Sequence, residues 1–178
     1  MTIMGFKKSK DAKKTKRRTK KTDIKGGLAS KAWRLFKGGM DFTEIGKEIG
    51  FTASSVKQYI VSKCKKEATE IWAKEIKAVG HCEINDAECQ GDLNAHHLLE
   101  KSTWVHLRCD LSNGICLCSS HHQFHTLLSP HANTVSAENF TDWLREFRSG
   151  QHKWYEEHKN DKQFQDINWI EEWERLSK

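Results

Sequence analysis

The residues of this chain that could do chemistry crowd between positions 80 and 126. Adjacent histidines, His96 and His97, stand in G-D-L-N-A-H-H-L-L-E. Asn113 precedes Gly114, and C-L-C-S-S-H-H-Q-F-H carries Cys116, Cys118, His121, His122 and His125. Neighbours on a strand point to opposite sides, so one of His96/His97 can hold a metal ion while the other faces a water molecule. An imidazole with an ordinary pKa of about 6.5 can accept a proton from that water near neutrality. The chemistry suggested is metal-assisted hydrolysis.

The cysteines suggest a second, structural metal. Cys82 and Cys89 flank a short loop, and Cys118-Ser119-Ser120-His121 has the knuckle spacing that leads into a helix. Together they offer Zn²⁺ a tetrahedral set of three thiolates at about 2.3 Å and one imidazole at about 2.0 Å. Cys116 lies on the same strand face as Cys118 and is the main substitute ligand, with His81 next. Six cysteines beside ten histidines point to metal rather than disulfides, and Cys64 and Cys109 read as buried thiols. Two short strands and a helix bury too little to fold alone, which gives such a staple a physical reason.

Strand, loop, strand and helix, with a His pair, a central Asn and a helix-borne His, resemble the ββα-metal, or HNH, nuclease family. The resemblance covers Cys82 to Thr126. It departs from the common pattern of two CxxC pairs in its wider first pair and in His121 as last zinc ligand. By position it implies that His96 is a catalytic-metal ligand, His97 the general base and His122 the second ligand. Asn113 then braces the loop carrying the base, and also reads as part of an Asn-Gly turn between two strands. The implied reaction is phosphodiester hydrolysis giving 5′-phosphate and 3′-hydroxyl products. Two imidazole ligands should accept Mn²⁺, Ni²⁺, Co²⁺ or Zn²⁺ as well as Mg²⁺. His125, one turn beyond His121 and His122, is read as a surface or packing residue, with phosphate contact or ligation as alternatives. Lys101 and Arg108, between the halves of the motif, are candidate phosphate contacts.

Other elements must position these groups. Leu28, Ala32, Leu35 and Phe36 recur at helical spacing over Leu28–Lys37, and Gly38-Gly39 stop the helix. Asp41 with Glu44 makes a capping box for a second helix with Ile45 and Ile49 inward. Thr52 caps a third, with Val56, Tyr59 and Ile60 inward. The stretch F-T-E-I-G-K-E-I-G-F-T-A-S-S-V-K-Q-Y-I looks like a helix-turn-helix, with Gly46 at the crossing and Gly50 in the turn. In that family the outward residues of the second helix reach base edges; Ser54, Lys57 and Gln58 are the candidates, Gln58 suiting adenine. Residues 63–79 keep a helical stripe through Ala68, Trp72 and Ile76, as a continuation of the third helix or after a break near Ser62. Residues from 137 onward read as two or three helices, acidic enough to pack on the protein.

The expected fold is α+β and mostly α: a basic disordered tail (1–26), a helix-turn-helix (27–62), a connecting helix (63–79), a zinc-clamped, treble-clef-like ββα-metal motif (80–130) and C-terminal helices packing on it (131–178). Residues 1–25 hold eleven Lys/Arg against two Asp, a charge of +9 that leaves the remainder at −3. Such a block suits a polyphosphate surface. A mean hydropathy of −0.77 suits small modules better than one large core. No run of about 18 apolar residues suggests a membrane span, and the start lacks the apolar core of a secretory signal. The expected setting is the cytoplasm of a bacterium or phage-infected host, and the expected partner double-stranded DNA. The resemblance extends to small HNH enzymes of bacteriophages and mobile elements, some of them homing endonucleases. The alternatives are a zinc-containing DNA-binding regulator without activity and a structure-specific or RNA-directed nuclease.

Overall fold

The computed structural model describes residues 24–178; of the basic tail read at residues 1–26, positions 1–23 lie outside the described residues. The chain is mostly helical, with one two-stranded sheet.

Three helices come first: α1 (Gly26–Lys37), α2 (Phe42–Ile49) and α3 (Ala53–Lys77). Asp41 caps α2 by accepting from the Thr43 and Glu44 amides at 2.7 and 2.9 Å, and Glu44 accepts in return from the Asp41 amide. Gly50 ends α2 in the left-handed region at φ 75°, where a Cβ is disfavoured. Gly46 has a different reason: a Cβ there would fall 2.5 Å from the Phe51 carbonyl oxygen.

The helix α3 does not break near Ser62. It runs unbroken for 25 residues, about 37 Å at 1.5 Å per residue. Every fourth residue on its inner side, Val56, Ile60, Cys64, Ala68 and Trp72, is at most 1% exposed. Spacing by four winds slowly around a helix, so the first half of this stripe meets α2 and the second half meets other elements. The second half packs on the C-terminal helix α6 (Trp169–Leu176) and on both strands.

Strands β1 (Leu93–His97) and β2 (Gly114–Cys118) pair antiparallel, with Leu93 opposite Cys118 and His97 opposite Gly114. Asn113-Gly114 is not a hairpin turn. Residues 98–113 join the strands through short 3₁₀ turns at Val105–Leu107 and Leu111–Asn113, and Asp110 caps the second by accepting from Ser112. Gly114 is extended, and its small size answers to packing. A Cβ there would lie 2.2 Å from Ile76 Cδ1 and 2.8 Å from Trp72 Cζ2, so α3 presses directly on the strand.

After β2 the chain makes a π-helical turn (Ser120–Phe124), then α4 (Thr134–Phe147) and α5 (Ser149–His158). The sheet separates two cores. On one side Ala95 joins the stripe of α3, Val105, Cys109 and Trp169. On the other, Ile115 and Leu117 pack with Phe140 and Leu144 of α4. Among the described residues no helix is long and apolar enough to cross a membrane.

Candidate metal centres

Cys82, Cys89, Cys118 and His121 converge, with their donor atoms all within 4.8 Å of one another. The Cys82, Cys89 and Cys118 sulfurs lie 3.6, 3.6 and 3.3 Å from His121 Nδ1. Thiolate and imidazole bonds of about 2.3 and 2.0 Å at a tetrahedral angle imply sulfur–nitrogen edges of about 3.5 Å. The donor set therefore fits a zinc-like ion. Asp86 Oδ2 stands 3.3 Å from His121 Nε2, close enough for charge pairing though not aligned as a hydrogen bond. A carboxylate behind a ligating imidazole fixes the ring and raises its basicity.

The charges agree with this assignment. Burial pushes the Cys89 thiol up to about 12, and the neighbouring cysteines add to the rise. Burial also opposes ionisation of Cys118, but hydrogen bonds from the His121 and Gln90 amides and from Cys82 and Cys89 together outweigh it and hold that thiol below its usual value. A crowd of sulfurs that resists ionising together is what a bound cation reverses. Cys116 stays outside the cluster, its amide donating to Glu83 Oε2 at 2.7 Å. His81 is exposed and contacts the Val79 carbonyl.

A second convergence joins His96, His122 and His131, again within 4.8 Å. Side chains alternate along β1, so His96 points toward Phe140 of α4 while His97 points toward α3. The π-helical turn does the same on the other wall: His121 faces the cysteines and its neighbour His122 faces His96. Burial, then the charge His131 and His122 would carry, holds His96 well below its ordinary pKa, and burial lowers His122 also. His122 Nδ1 is buried without a hydrogen-bond partner. Three imidazoles around a common point, one with an unmet nitrogen, form a donor set that fits a divalent transition-metal ion.

These three rings line a cavity of about 390 Å³ together with His97, Glu100, Lys101 and Pro130. His97 stacks on Trp72 at 3.9 Å between ring centroids, and its Nε2 lies 2.9 Å from the Arg108 carbonyl oxygen. A carbonyl only accepts, so Nε2 carries the proton and Nδ1 is left with a lone pair. Burial lowers the His97 pKa to about 4, with Lys101 and Arg108 adding to the shift and the carbonyl bond opposing it.

Asn113, fully buried, braces the loop that follows His97. Its Oδ1 accepts from the Leu99 amide at 2.7 Å, and its Nδ2 donates to the Leu99 and Leu107 carbonyls at 3.2 and 3.0 Å.

The remaining candidates do not share one surface. Lys101 is exposed at the cavity, whereas Arg108 turns its guanidinium over Trp169 on the α3 side. Ser54, Lys57 and Gln58 are exposed on α3 and line a groove shared with α6. His125 pairs with Glu88 and accepts from the Leu128 amide. It is tied into the loop and takes no part in the trihistidine cluster. His131 and Asp86 are the residues that sequence reasoning missed. The one signal for His131 is Pro130, which turns the chain back toward the π-helical turn. Comparison with protein-family models, curated proteins and solved structures yields no match to this chain.

Proposed function

We propose that this chain is a metal-dependent DNA endonuclease of the ββα-metal (HNH) type, hydrolysing phosphodiester bonds to 5′-phosphate and 3′-hydroxyl ends. The observation that carries the reading is one cavity containing three convergent imidazoles and a fourth, His97, held apart from them by its carbonyl bond and its stack on Trp72. A zinc clip without activity has no use for that fourth group.

His96, His122 and His131 would hold a divalent ion, which when bound stabilises negative charge on the phosphate and on the departing 3′ oxygen. His97 does the proton chemistry. Its Nε2–H is fixed by the Arg108 carbonyl, its Nδ1 accepts the proton of the attacking water, and the stack on Trp72 prevents ring rotation. Asn113 holds the Leu99 and Leu107 backbone and thereby the neighbourhood of that carbonyl. Lys101 at the cavity rim is placed to attract the phosphate. Cys82, Cys89, Cys118 and His121 hold structural zinc, giving a treble-clef-like clamp. The pair α2–α3 serves as a helix-turn-helix that places Ser54, Lys57 and Gln58 on duplex DNA, assisted by the basic tail.

The test is digestion of supercoiled plasmid with Mg²⁺, Mn²⁺ or Ni²⁺ added in turn. The wild type should nick or cut, and His97→Ala should lose about 10²–10⁴-fold in rate while still binding DNA. No cutting with any ion would leave a zinc-containing DNA-binding regulator. Cutting by His97→Ala at the wild-type rate would place the base elsewhere.

A further inference from the structure

Two grooves adjoin along the outer side of α3, and none of their lining residues lines the cavity. The first, about 490 Å³, runs past Ser54, Lys57, Gln58, Val61 and Lys65 to Asp166 and Trp169. The second, about 420 Å³, shares Ser62 and Lys65 with it and continues past Lys66 and Thr69 to Arg108. Residues 54, 58, 61 and 65 fall on one stripe of a helix. From Ser54 to Lys65 the stripe is about 16 Å long, close to five base-pair steps of about 3.4 Å.

The meeting point of the grooves is unusual in its charges. Lys65 Nζ lies 4.9 Å and the Arg108 guanidinium 5.6 Å from the Trp169 ring centroid, so two cations share one buried indole. Lys65 also pairs with Asp166 at 2.7 Å, and Trp169 Nε1 donates to the same carboxylate oxygen at 3.1 Å. Arg108 has no ion-pair partner among the described residues, and its Nε is buried without an acceptor. Its backbone carbonyl is the one that receives His97 Nε2. Arg108 thus turns its side chain to the groove and its main chain to the candidate base.

We propose that Lys65 and Arg108, spaced by Trp169, form a shelf for the sugar–phosphate backbone of duplex DNA, extending the exposed face of α3. This rests on the nuclease reading and adds to it a binding track. A guanidinium without an ion-pair partner suits a phosphate, and the groove continues into the polar residues of α3. Asp166 opposes an incoming phosphate, and Lys65 must exchange one for the other. Removing that carboxylate should therefore strengthen binding.

The experiment is fluorescence anisotropy of a labelled DNA duplex with the full chain, Zn²⁺ present and no Mg²⁺ or Mn²⁺, at several salt concentrations. Lys65→Gln and Arg108→Gln should each weaken binding and reduce the slope of log K against log salt by about 0.9, the share of one phosphate contact. Asp166→Asn should tighten binding severalfold, because Lys65 no longer has to leave a carboxylate for the phosphate. Unchanged affinity and slope in folded Lys65→Gln, with no gain in Asp166→Asn, would overturn the shelf. Should Arg108→Gln fail to fold, half-buried Lys65 and exposed Asp166 still decide the matter. A preference for duplex RNA over DNA would overturn the assignment of partner. Should the wild type bind through the shelf but cleave with no metal, the nuclease reading would fall and the shelf would stand.

Discussion

At the scale of single residues, His131 is the most informative side chain. It lies outside the π-helical turn, yet its ring sits 4.8 Å from that of His96 and 5.0 Å from that of His122. If it completes the set, His131→Ala should lower affinity for Mn²⁺ by about 10- to 100-fold, the range already seen on removing groups that merely support a ligand. Calorimetric titration of the zinc-loaded protein with Mn²⁺ measures this, and unchanged affinity would remove His131 from the set. The other members of both centres were legible because their spacing is local. A His pair on one strand and a Cys-x-x-His knuckle constrain direction within a few residues. His131 and Asp86 depend on how their loops return, through bonds such as Ser129 Oγ to the His122 carbonyl at 3.1 Å, and no short-range pattern encodes that return.

At the scale of elements, the contact of α3 with the sheet decides the position of His97. The Trp72 ring that stacks on His97 also abuts Gly114, the residue paired with His97 across the sheet. Gly114→Ala should therefore overpack this junction and destabilise the chain by about 1–3 kcal/mol, read as a lower urea midpoint with an unchanged m-value. A neutral substitution would mean that α3 can draw away from the strand freely. The sequence announced the caps of α2 and α3 and the apolar stripes clearly, since each rests on near neighbours. It misled at Asn113-Gly114, where both residues suit a hairpin turn. There the asparagine is buried by its bonds to the Leu99 and Leu107 backbone, and the glycine by the approach of α3. Both causes are tertiary.

At the scale of the whole molecule, the division into two cores sets how the chain should respond to loss of zinc. Ala32, Ile45, Val56, Ile60 and Trp72 are buried in a core that contains none of Cys82, Cys89 and Cys118. Ile115, Leu117, Phe140 and Leu144 share their core with Cys82 and Cys118. Chelation, or Cys118→Ser, should expose the amides of residues 82–91, β2 and the π-helical turn to hydrogen exchange while α1 to α3 remain protected. Equal loss of protection in both halves would show a single cooperative unit.

The π-helical turn has one more consequence, for the lengths that related chains could have. His121 and His122 are consecutive but belong to different centres, so their roles are set by counting from Cys118. Deleting Ser119 or Ser120 would set His122 where His121 stands and bring Gln123 to the cavity. Adding one residue would bring His121 to the cavity and leave a serine among the thiols. Either change would break one centre, a deletion the cavity and an insertion the thiol set, although no ligand had been replaced. The stretch from 123 to 130 has only to bring His131 back. Chains descended from a common ancestor with this one should therefore vary in length there and be invariant in length from Cys118 to His122.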